Sequence, residues 1–321
     1  MIYKEKDNLY FINTNDPKSI LSYPSCITII NNVLNRLGDK SDDTLICFVM
    51  IPRASEEIVE VAQNKDSNGN VFKNKVLIWI GDETSYIPSD RIMNEYNLCL
   101  KNYIKEEYPE KRIFSLPMII PSNVPQLPII PIEKRKTNVF FSGMMCSNRF
   151  NVYMYLNKHK TLSDFILKLY LGRSGWVRLW QLFNKNKPKD LSYAYSDSII
   201  RFNPLYANGY SPDEYANLLS NSKIGLSLKG YVTIECYKIY EFMRQGCVVV
   251  TGVLPNVPFY KDIPVIQVRT PEEMDSEIKS LLLNPNKMEE ISYQASNYYQ
   301  RYFSVEGISD YVYNVISKHI G

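Results

Sequence analysis

Residues 222–252 read SKIGLSLKGYVTIECYKIYEFMRQGCVVVTG. Two apolar runs, 224–228 and 247–251, each predict a buried strand, and the residues between them predict a loop and a helix that ends at Gly246. A strand, a crossover helix and a second strand in this order are typical of a parallel sheet. The loop 229–233 then follows the carboxyl end of the first strand, which is the edge where open α/β sheets bind ligands.

The same alternation continues on both sides of this stretch. Toward the N-terminus, apolar periodicity and capping residues predict strands at 8–12, 44–51, 76–80, 112–116 and 138–142, with helices at 24–37, from 55, at 90–106 and from 149. Ser211 and Glu214 match a capping box, which predicts another helix start. Further helices are expected at 271–283, 287–302 and 305–319. The whole chain is therefore expected to be α/β.

Five prolines lie close together between the two halves of the chain, at positions 117, 121, 125, 128 and 131. Proline neither donates to a sheet ladder nor continues a helix, so this stretch predicts an extended linker. We place a domain boundary there, with one Rossmann-like domain at 1–131 and a second at 132–321. A length of 321 residues suits two domains.

Composition narrows the class of partner. The formal net charge of +3 is too small to indicate a nucleic-acid-binding protein, although it suits anionic ligands. The first ten residues, MIYKEKDNLY, carry charges where a signal peptide needs an apolar core. No apolar run approaches the roughly 18 residues of a membrane span. We expect a cytoplasmic protein whose contact with a membrane, if it makes one, is peripheral.

Several catalytic signatures are absent from the sequence. Neither G-x-G-x-x-G nor the P-loop pattern occurs, which argues against a dinucleotide oxidoreductase and a P-loop enzyme. The six cysteines are scattered and the only histidines are His159 and His319, which argues against a zinc site or a histidine-centred triad. D-x-D, which holds a divalent cation in metal-dependent sugar transferases, is also missing. No metal and no cofactor are expected.

Lys238 and Glu241 lie three residues apart on the predicted helix and therefore share a face. A cation can neutralise a diphosphate and a carboxylate can accept the hydroxyls of a ribose, so the pair suits a nucleoside diphosphate. The helix N-terminus adds free N–H groups for phosphate. An ordinary surface ion pair would have the same spacing.

The segment resembles the core motif of the exostosin-like glycosyltransferases, in which R-x-x-E on a helix precedes a G-C-x-P-V turn. The matching residues are 238–241 and 246–250, while 215–228 resembles the helix and strand before the motif and 138–149 the F-x-G…R opening of the nucleotide-binding half. Lysine replaces arginine at 238, which keeps the charge but removes bidentate phosphate binding. Valine also replaces the proline of the turn. The likeness covers about the C-terminal 180 residues.

A second resemblance concerns the loop. Residues 230–233, GYVT, are similar to the G-Y-V-T-E-K segment of the α-1,3-fucosyltransferases, although Ile234 replaces its glutamate and Glu235 comes one residue late. Both families have two Rossmann-like domains of the GT-B type, which face each other across a cleft. The resemblance implies a donor site in the C-terminal half, an acceptor site in the N-terminal half and inversion at the anomeric carbon. The predicted donor-binding residues are Ser142, Gly143, Arg149, Lys229, Tyr231, Thr233, Lys238 and Glu241.

Inversion requires a base that takes the proton of the acceptor hydroxyl. Asp82 and Glu83 follow the predicted strand 76–80 at the carboxyl edge of its sheet, and they are the candidate catalytic carboxylates. The alternative is that Asp82 caps a turn and that Glu83 is a solvated surface residue.

Residues 168–190 form a basic segment. Its six basic residues oppose only Asp190, and three aromatic residues, Trp176, Trp180 and Phe183, lie among them. This pattern suits the headgroup region of an anionic membrane. A basic surface lobe with aromatic residues in its core is the alternative.

The sequence therefore predicts an inverting, metal-independent glycosyltransferase. Its donor is expected to be a UDP-sugar and its acceptor a glycan or lipid-linked glycan in surface polysaccharide synthesis. Two alternatives stay open: a fucosyltransferase-like enzyme that uses GDP-fucose, and a non-catalytic module that binds a nucleotide or a glycan.

Overall fold

The computed structural model describes residues 1–13, 16–19, 22–51, 55–121, 123–158, 162–184, 187–205 and 209–321, with the backbone alone for 162–171. These residues form two compact units. Unit 1 consists of Met1–Ser122, Pro255–Asp262 and Gln300–Gly321, and unit 2 of Asn123–Leu254 and Ile263–Tyr299. Among the described residues no helix is both long and apolar enough to cross a membrane.

Unit 1 contains a six-stranded sheet in sequential order. Its strands are β1 (Ile2–Lys6), β2 (Leu9–Ile12), β3 (Thr44–Val49), β4 (Asn74–Trp79), β5 (Leu98–Lys101) and β6 (Ile113–Ser115). The first pair is antiparallel and every other pair is parallel. Strands β3 and β5 are buried along their whole length, as parallel strands covered on both faces are.

The helices of unit 1 are α1 (Tyr23–Leu37), α2 (Ser55–Ala62), α3 (Asp90–Met93) and the last helix of the chain, α10 (Val305–His319). Gly38 ends α1 with a φ of 57°, a conformation that glycine adopts without strain. One face of the sheet packs against α1 and α10, whose apolar side chains include Ile29, Val33 and Val312. The C-terminal helix therefore belongs to the core of the N-terminal sheet.

The predicted helix at 90–106 is wrong. The structure ends α3 at Met93 and places β5 at Leu98–Lys101, between β4 and β6. A four-residue apolar run does not distinguish a buried strand from a helix by periodicity alone. Pairing with two neighbouring strands decides the conformation here, because each residue of β5 is buried on both faces of the sheet.

Unit 2 contains a second six-stranded sheet. Its strands are β7 (Thr137–Met144), β8 (Lys189–Asp190), β9 (Ile199–Asn203), β10 (Ser222–Ser227), β11 (Val248–Gly252) and β12 (Ile266–Val268), in the order β12-β11-β10-β7-β9-β8. Only β8 is antiparallel within this sheet as described. The helices are α4 (Phe150–Leu156), α5 (Leu162–Phe183), α6 (Pro212–Ser220), α7 (Tyr237–Arg244), α8 (Pro271–Leu282) and α9 (Pro285–Tyr302).

Helices cover both faces of the sheet in unit 2. On one face Val139 and Phe141 of β7 join a hydrophobic core with α4 and α8. On the other face the intervening Phe140 lies 6.1 Å from Phe242 of α7, ring centroid to ring centroid. A Cβ at Gly225 of β10 would lie 2.3 Å from the Phe242 ring, so this glycine permits α7 to pack directly on the sheet. The prediction of an α/β protein with two Rossmann-like domains is thereby confirmed.

Candidate functional site

The centre of the sheet in unit 2 contains a reversal of strand order. From β7 the chain passes to β8 and β9 on one side, and then crosses to β10, β11 and β12 on the other side. Helix α4, which follows β7, and helix α7, which follows the loop after β10, pack on opposite faces. The carboxyl ends of β7 and β10 therefore form a topological switch point, where open α/β sheets leave a crevice for a ligand.

Arg149 holds the loop that follows β10. Its guanidinium donates to three carbonyls, those of Met144 at the end of β7 and of Leu228 and Lys229 after β10, with distances of 3.2 and 3.1 Å for the latter two. A Cβ at Gly143 would lie 2.8 Å from Arg149 Nη1, so this glycine makes room for the guanidinium. These contacts favour a supporting role for Arg149 over the predicted contact with a diphosphate, because three of its five N–H donors are used by backbone carbonyls.

Asn148 completes this support. Its amide Nδ2 donates to the carbonyls of Gly230 and Tyr231, at 2.7 and 2.8 Å. The amide of Gly230 in turn donates to the carbonyl of Thr233 at 3.1 Å, which closes the loop on itself. The loop 229–233 is therefore attached to the segment after β7 as well as to β10.

The loop presents two of its predicted site residues to solvent. Lys229 is exposed, and Tyr231 is 59% exposed with its hydroxyl 3.8 Å from Met144 Sδ. Thr233 has a local role, since its hydroxyl accepts a hydrogen bond from the amide of Glu235 at 3.2 Å. Lys229 and Tyr231 are thus accessible to a ligand at the switch point.

Ser142 lies near the end of β7 and contacts the next strand. Its hydroxyl accepts a hydrogen bond from Asn203 Nδ2 at 3.2 Å. Asn203 is buried at the end of β9, and its Oδ1 has no hydrogen-bond partner in the described part of the chain. A buried amide oxygen without a hydrogen-bond partner lowers the stability of the folded protein. Asn203 was not among the site residues predicted from sequence.

Lys238 and Glu241 share one face of α7, as their spacing predicts, and a third residue joins them. Tyr215 of α6 places its hydroxyl 3.4 Å from Lys238 Nζ and donates to Glu241 Oε2 at 2.9 Å. The Lys238 ammonium also lies over the Tyr215 ring, 5.1 Å from its centroid. The three side chains form one hydrogen-bonded chain.

Burial sets the protonation properties of this group. Removal from water lowers the pKa of Lys238, although the nearby Glu241 carboxylate acts in the opposite direction. Burial and the same carboxylate raise the pKa of Tyr215 well above its ordinary value. Tyr215 therefore keeps its proton at neutral pH and donates a hydrogen bond to the Glu241 carboxylate.

The candidate catalytic carboxylates lie in unit 1, after β4, in different surroundings. Asp82 is fully buried and accepts hydrogen bonds from the amides of Thr84 and Tyr86, each at 3.0 Å, and from the Thr84 hydroxyl. Its carboxylate also pairs with the equally buried Lys101, at 3.3 Å. Glu83 is exposed. The Asp82 carboxylate therefore stabilises the turn and pairs with Lys101, and of these two carboxylates only Glu83 is accessible.

The pKa of Asp82 lies below its ordinary value. Burial opposes ionisation, but the Thr84 hydroxyl and the Lys101 ammonium outweigh it. A carboxylate with a lowered pKa is a weaker base, so this shift also favours Glu83 as the candidate base.

The basic segment 168–190 is divided between core and surface. Trp176 and Trp180 are buried in the hydrophobic core of unit 2, which contradicts a role for them in a membrane headgroup region. Leu182 and Phe183 at the end of α5 are 71% and 81% exposed. The basic residues with described side chains are all exposed, namely Arg173, Arg178, Lys187 and Lys189. Lys168 and Lys185 lie outside the described side chains.

The two histidines form no site in the described part of the chain. His319 packs against Phe114, with 4.7 Å between ring centroids, and His159 lies outside the described residues. In the described part of the chain no three histidine, cysteine or acidic side chains come together as metal ligands.

The sequence matches no protein-family model and no curated protein. Its fold is similar to that of TarM, with a TM-score of 0.48 and 12% identity over 88% of this chain and 57% of TarM. A glycosyltransferase from Rickettsia africae ESF-5 has a TM-score of 0.45 and 14% identity, over 96% of this chain and 84% of that one. The pneumococcal O-GlcNAc transferase GtfA, in complex with UDP and GlcNAc, has a TM-score of 0.32 and 8% identity, over 93% of this chain and 56% of GtfA.

The chain spans little more than half the length of TarM and of GtfA. Similarity of this degree concerns the fold and identifies neither an activity nor a substrate.

Proposed function

We propose that this chain is a glycosyltransferase whose unit 2 binds a nucleotide-sugar donor at the switch point between β7 and β10. The observation that supports the proposal most is the concentration of suitable groups at one edge of one sheet. The exposed Lys229 and Tyr231, the N-terminus of α7, and the Lys238–Tyr215–Glu241 chain all lie on elements that begin or end there.

The diphosphate is assigned to the N-terminus of α7 and to Lys238. Cys236, the residue before the helix, makes no side-chain capping hydrogen bond, and the positive end of the helix dipole favours an anion at this N-terminus. Lys238 in the first turn supplies a cation. Lysine acts here as a point charge rather than through the two parallel hydrogen bonds of an arginine.

The ribose is assigned to Glu241. Its Oε2 already accepts the Tyr215 hydrogen bond, so a ribose hydroxyl would donate to Oε1. Tyr231 is the exposed aromatic residue of the loop and would stack on the base or the sugar. A UDP-sugar is the proposed donor, and GDP-fucose is the alternative that the loop sequence GYVT favours.

Glu83 is the proposed general base of an inverting transfer. In this reaction the acceptor hydroxyl attacks the anomeric carbon, its proton passes to the Glu83 carboxylate, and the nucleoside diphosphate leaves. The positive charge of Lys238 would stabilise the leaving diphosphate. No metal is assigned a role in this scheme.

The proposed acceptor is a glycan or a lipid-linked glycan of a surface polysaccharide. Leu182 and Phe183, together with the exposed basic residues of 168–190, would bring the protein to an anionic membrane surface that carries such an acceptor.

A thermal-shift screen tests the proposed function. UDP, GDP, CMP and their sugars are added separately to the full chain in EDTA. A nucleotide at a hundredfold excess over its Kd stabilises the protein by about 2.7 kcal/mol. We expect UDP compounds to raise the Tm without added metal; a larger response to GDP compounds would favour the fucosyltransferase-like alternative. Absence of any response, or a response only with Mg²⁺ or Mn²⁺, would contradict the donor site as proposed.

A transfer assay separates an enzyme from a binding module. We expect hydrolysis or transfer of the sugar from the nucleotide that binds best. Nucleotide binding without either reaction would support the non-catalytic alternative.

A further inference from the structure

Tyr215 occupies a fixed position at the start of α6. The Ser211 hydroxyl and the Glu214 carboxylate form a complete capping box there, with Ser211 N donating to Glu214 Oε2 at 3.0 Å. The first helical hydrogen bond runs from Tyr215 N to Ser211 O at 2.9 Å. The Tyr215 ring also packs against Phe140 of β7, 5.9 Å from ring to ring. The capping box and the sheet together therefore determine where the Tyr215 hydroxyl lies.

The hydroxyl of Tyr215 connects two charged groups of opposite sign. It donates to Glu241 Oε2 at 2.9 Å, and its lone pairs face Lys238 Nζ at 3.4 Å. Lys238 and Glu241 are therefore held by a neutral hydroxyl between them. Because Tyr215 is 23 residues from Lys238 in sequence, only the packing of α6 beside α7 brings them together.

The charged groups around Lys238 leave it incompletely compensated. Burial disfavours its charged form most strongly, and Arg149 after β7 acts in the same direction, while Glu241 on its own helix and Cys236 before the helix favour the charged form. The Tyr215 hydroxyl and ring add an acceptor and a π-face on the side of α6. An added diphosphate would supply the negative charge that this cation lacks.

From this geometry we infer that Tyr215 is a positioning residue of the donor site, whose hydroxyl orients Lys238 toward the diphosphate and Glu241 toward the ribose of a nucleoside diphosphate. The inference rests on the proposed function and adds a residue to its donor site. Tyr215 acts through its two neighbours and does not itself contact the reacting atoms.

The variant Tyr215→Phe removes the hydroxyl and keeps the ring. We expect the Kd of UDP, or of GDP if the parent protein prefers it, to rise about 10-fold, which corresponds to one hydrogen bond to a charged group. Isothermal titration calorimetry on the full chain measures it. Tyr210→Phe is the matched control, because the Tyr210 ring also packs against Phe140, with 6.3 Å between ring centroids. The Kd of this variant should stay within about twofold of the parent value.

A double-mutant cycle shows whether the hydroxyl acts through Glu241. In a Glu241→Ala background, which removes the acceptor of the Tyr215 hydrogen bond, Tyr215→Phe should raise the Kd by a smaller factor than in the parent protein, because residues in contact are coupled. An equal factor in the two backgrounds would show that the hydroxyl does not act through Glu241, and that part of the inference would be wrong.

The pH dependence of the nucleotide Kd is a second readout, because it reports whether Lys238 is charged. Above about pH 7.5 the phosphates are fully ionised, and nucleotide binding should weaken as the pH rises through the lowered pKa of Lys238. Loss of the hydroxyl acceptor destabilises the charged form, so in Tyr215→Phe this weakening should begin at lower pH.

The outcomes separate the two proposals. If the parent protein binds no nucleoside diphosphate, the proposed function fails and Tyr215 has nothing to position. If the parent binds and Tyr215→Phe matches it in both Kd and pH profile, only the inference about Tyr215 is overturned.

Discussion

Two neighbouring carboxylates in unit 1 differ in what surrounds them. Asp82 is buried against Lys101 and three further hydrogen-bond donors, whereas Glu83 is exposed. A buried ion pair is costly to break because the remaining charge is left without a partner. The same loop thus combines a carboxylate fixed by its hydrogen bonds with one that is free to approach a substrate.

The variant Asp82→Asn tests the first of these roles. It leaves the Lys101 ammonium buried without its counter-charge, so the free energy of unfolding should fall by about 3 kcal/mol. The folded-state pKa of Asp82 is lowered, so its contribution is present above the ordinary pKa of 3.8 and is lost as the pH falls through the lowered value. Urea unfolding at several pH values measures both effects. Stability equal to that of the parent at neutral pH would show that the pair contributes nothing.

The variant Glu83→Gln tests the second role. Loss of a general base should lower kcat by at least about 10²-fold and leave the Kd of the donor unchanged. Single-turnover kinetics and calorimetry on the same preparation provide the two numbers. The exposed Glu60 of α2 offers a matched control, Glu60→Gln. Near-normal turnover in Glu83→Gln would remove this residue from the mechanism.

Residue spacing correctly placed Lys238 and Glu241 on one face of α7 and gave no indication of Tyr215. The i, i+3 rule placed Lys238 and Glu241 on one face, and the structure agrees. Tyr215, Asn148 and Lys101 were missed because their partners lie 19 to 83 residues away in sequence. A contact of that range depends on how helices pack on a sheet, which periodicity along one element does not encode.

At the scale of single elements, the loop 229–233 is held by two side chains from the segment that follows β7. Arg149 and Asn148 together donate to the carbonyls of 228–231, and β10 ends before these residues. The loop therefore gains its order from side chains after β7 as well as from the hydrogen bond between Gly230 N and Thr233 O.

The variant Arg149→Ala should loosen this loop and weaken donor binding indirectly. Three carbonyls lose their donor, so amide hydrogen exchange in 229–233 should accelerate by at least about 10-fold. Hydrogen exchange followed by mass spectrometry measures it, with Arg173→Ala on the exposed side of α5 as control. Unchanged exchange, with lost affinity for UDP but not for uridine, would restore Arg149 as a direct phosphate ligand.

Elements were predictable where sequence signals were redundant. The capping box at Ser211, the glycine after α1 and the long apolar strands agree with the structure. Among the short strands, β2 and β6 were predicted and others were missed. β5 was assigned to a helix, and β9 and β12 gave no signal, because three to five residues contain less than one and a half helical turns.

At the scale of the whole molecule, chain order and spatial order differ. Residues 300–321 belong to unit 1 although they follow all of unit 2, and α10 packs on α1 through Arg36, which forms ion pairs with Glu306 and Asp310. The amphipathic pattern of α10 predicts a buried face but contains no information on which sheet covers it.

The exposed end of α5 supports a prediction about the intact protein. Leu182 and Phe183 beside Arg178 and Lys187 should bind vesicles that contain anionic lipid, and salt should release the protein. Co-sedimentation measures it, with the double variant Leu182→Ser, Phe183→Ser expected to abolish binding. Leu283→Ser, at an 86% exposed leucine after α8, is the matched control. No binding at low salt would assign these residues to an ordinary surface.

The central claim is that unit 2 holds a nucleoside diphosphate through Lys238 and Glu241, and calorimetry on two single variants tests it most directly. Lys238→Ala removes the cation, so it should raise the Kd of UDP or GDP about 10- to 100-fold and leave binding of the bare nucleoside unchanged. Glu241→Ala removes the ribose acceptor, so it should weaken nucleotide and nucleoside by a similar factor. If both variants bind UDP and GDP as the parent protein does, the donor site is not here.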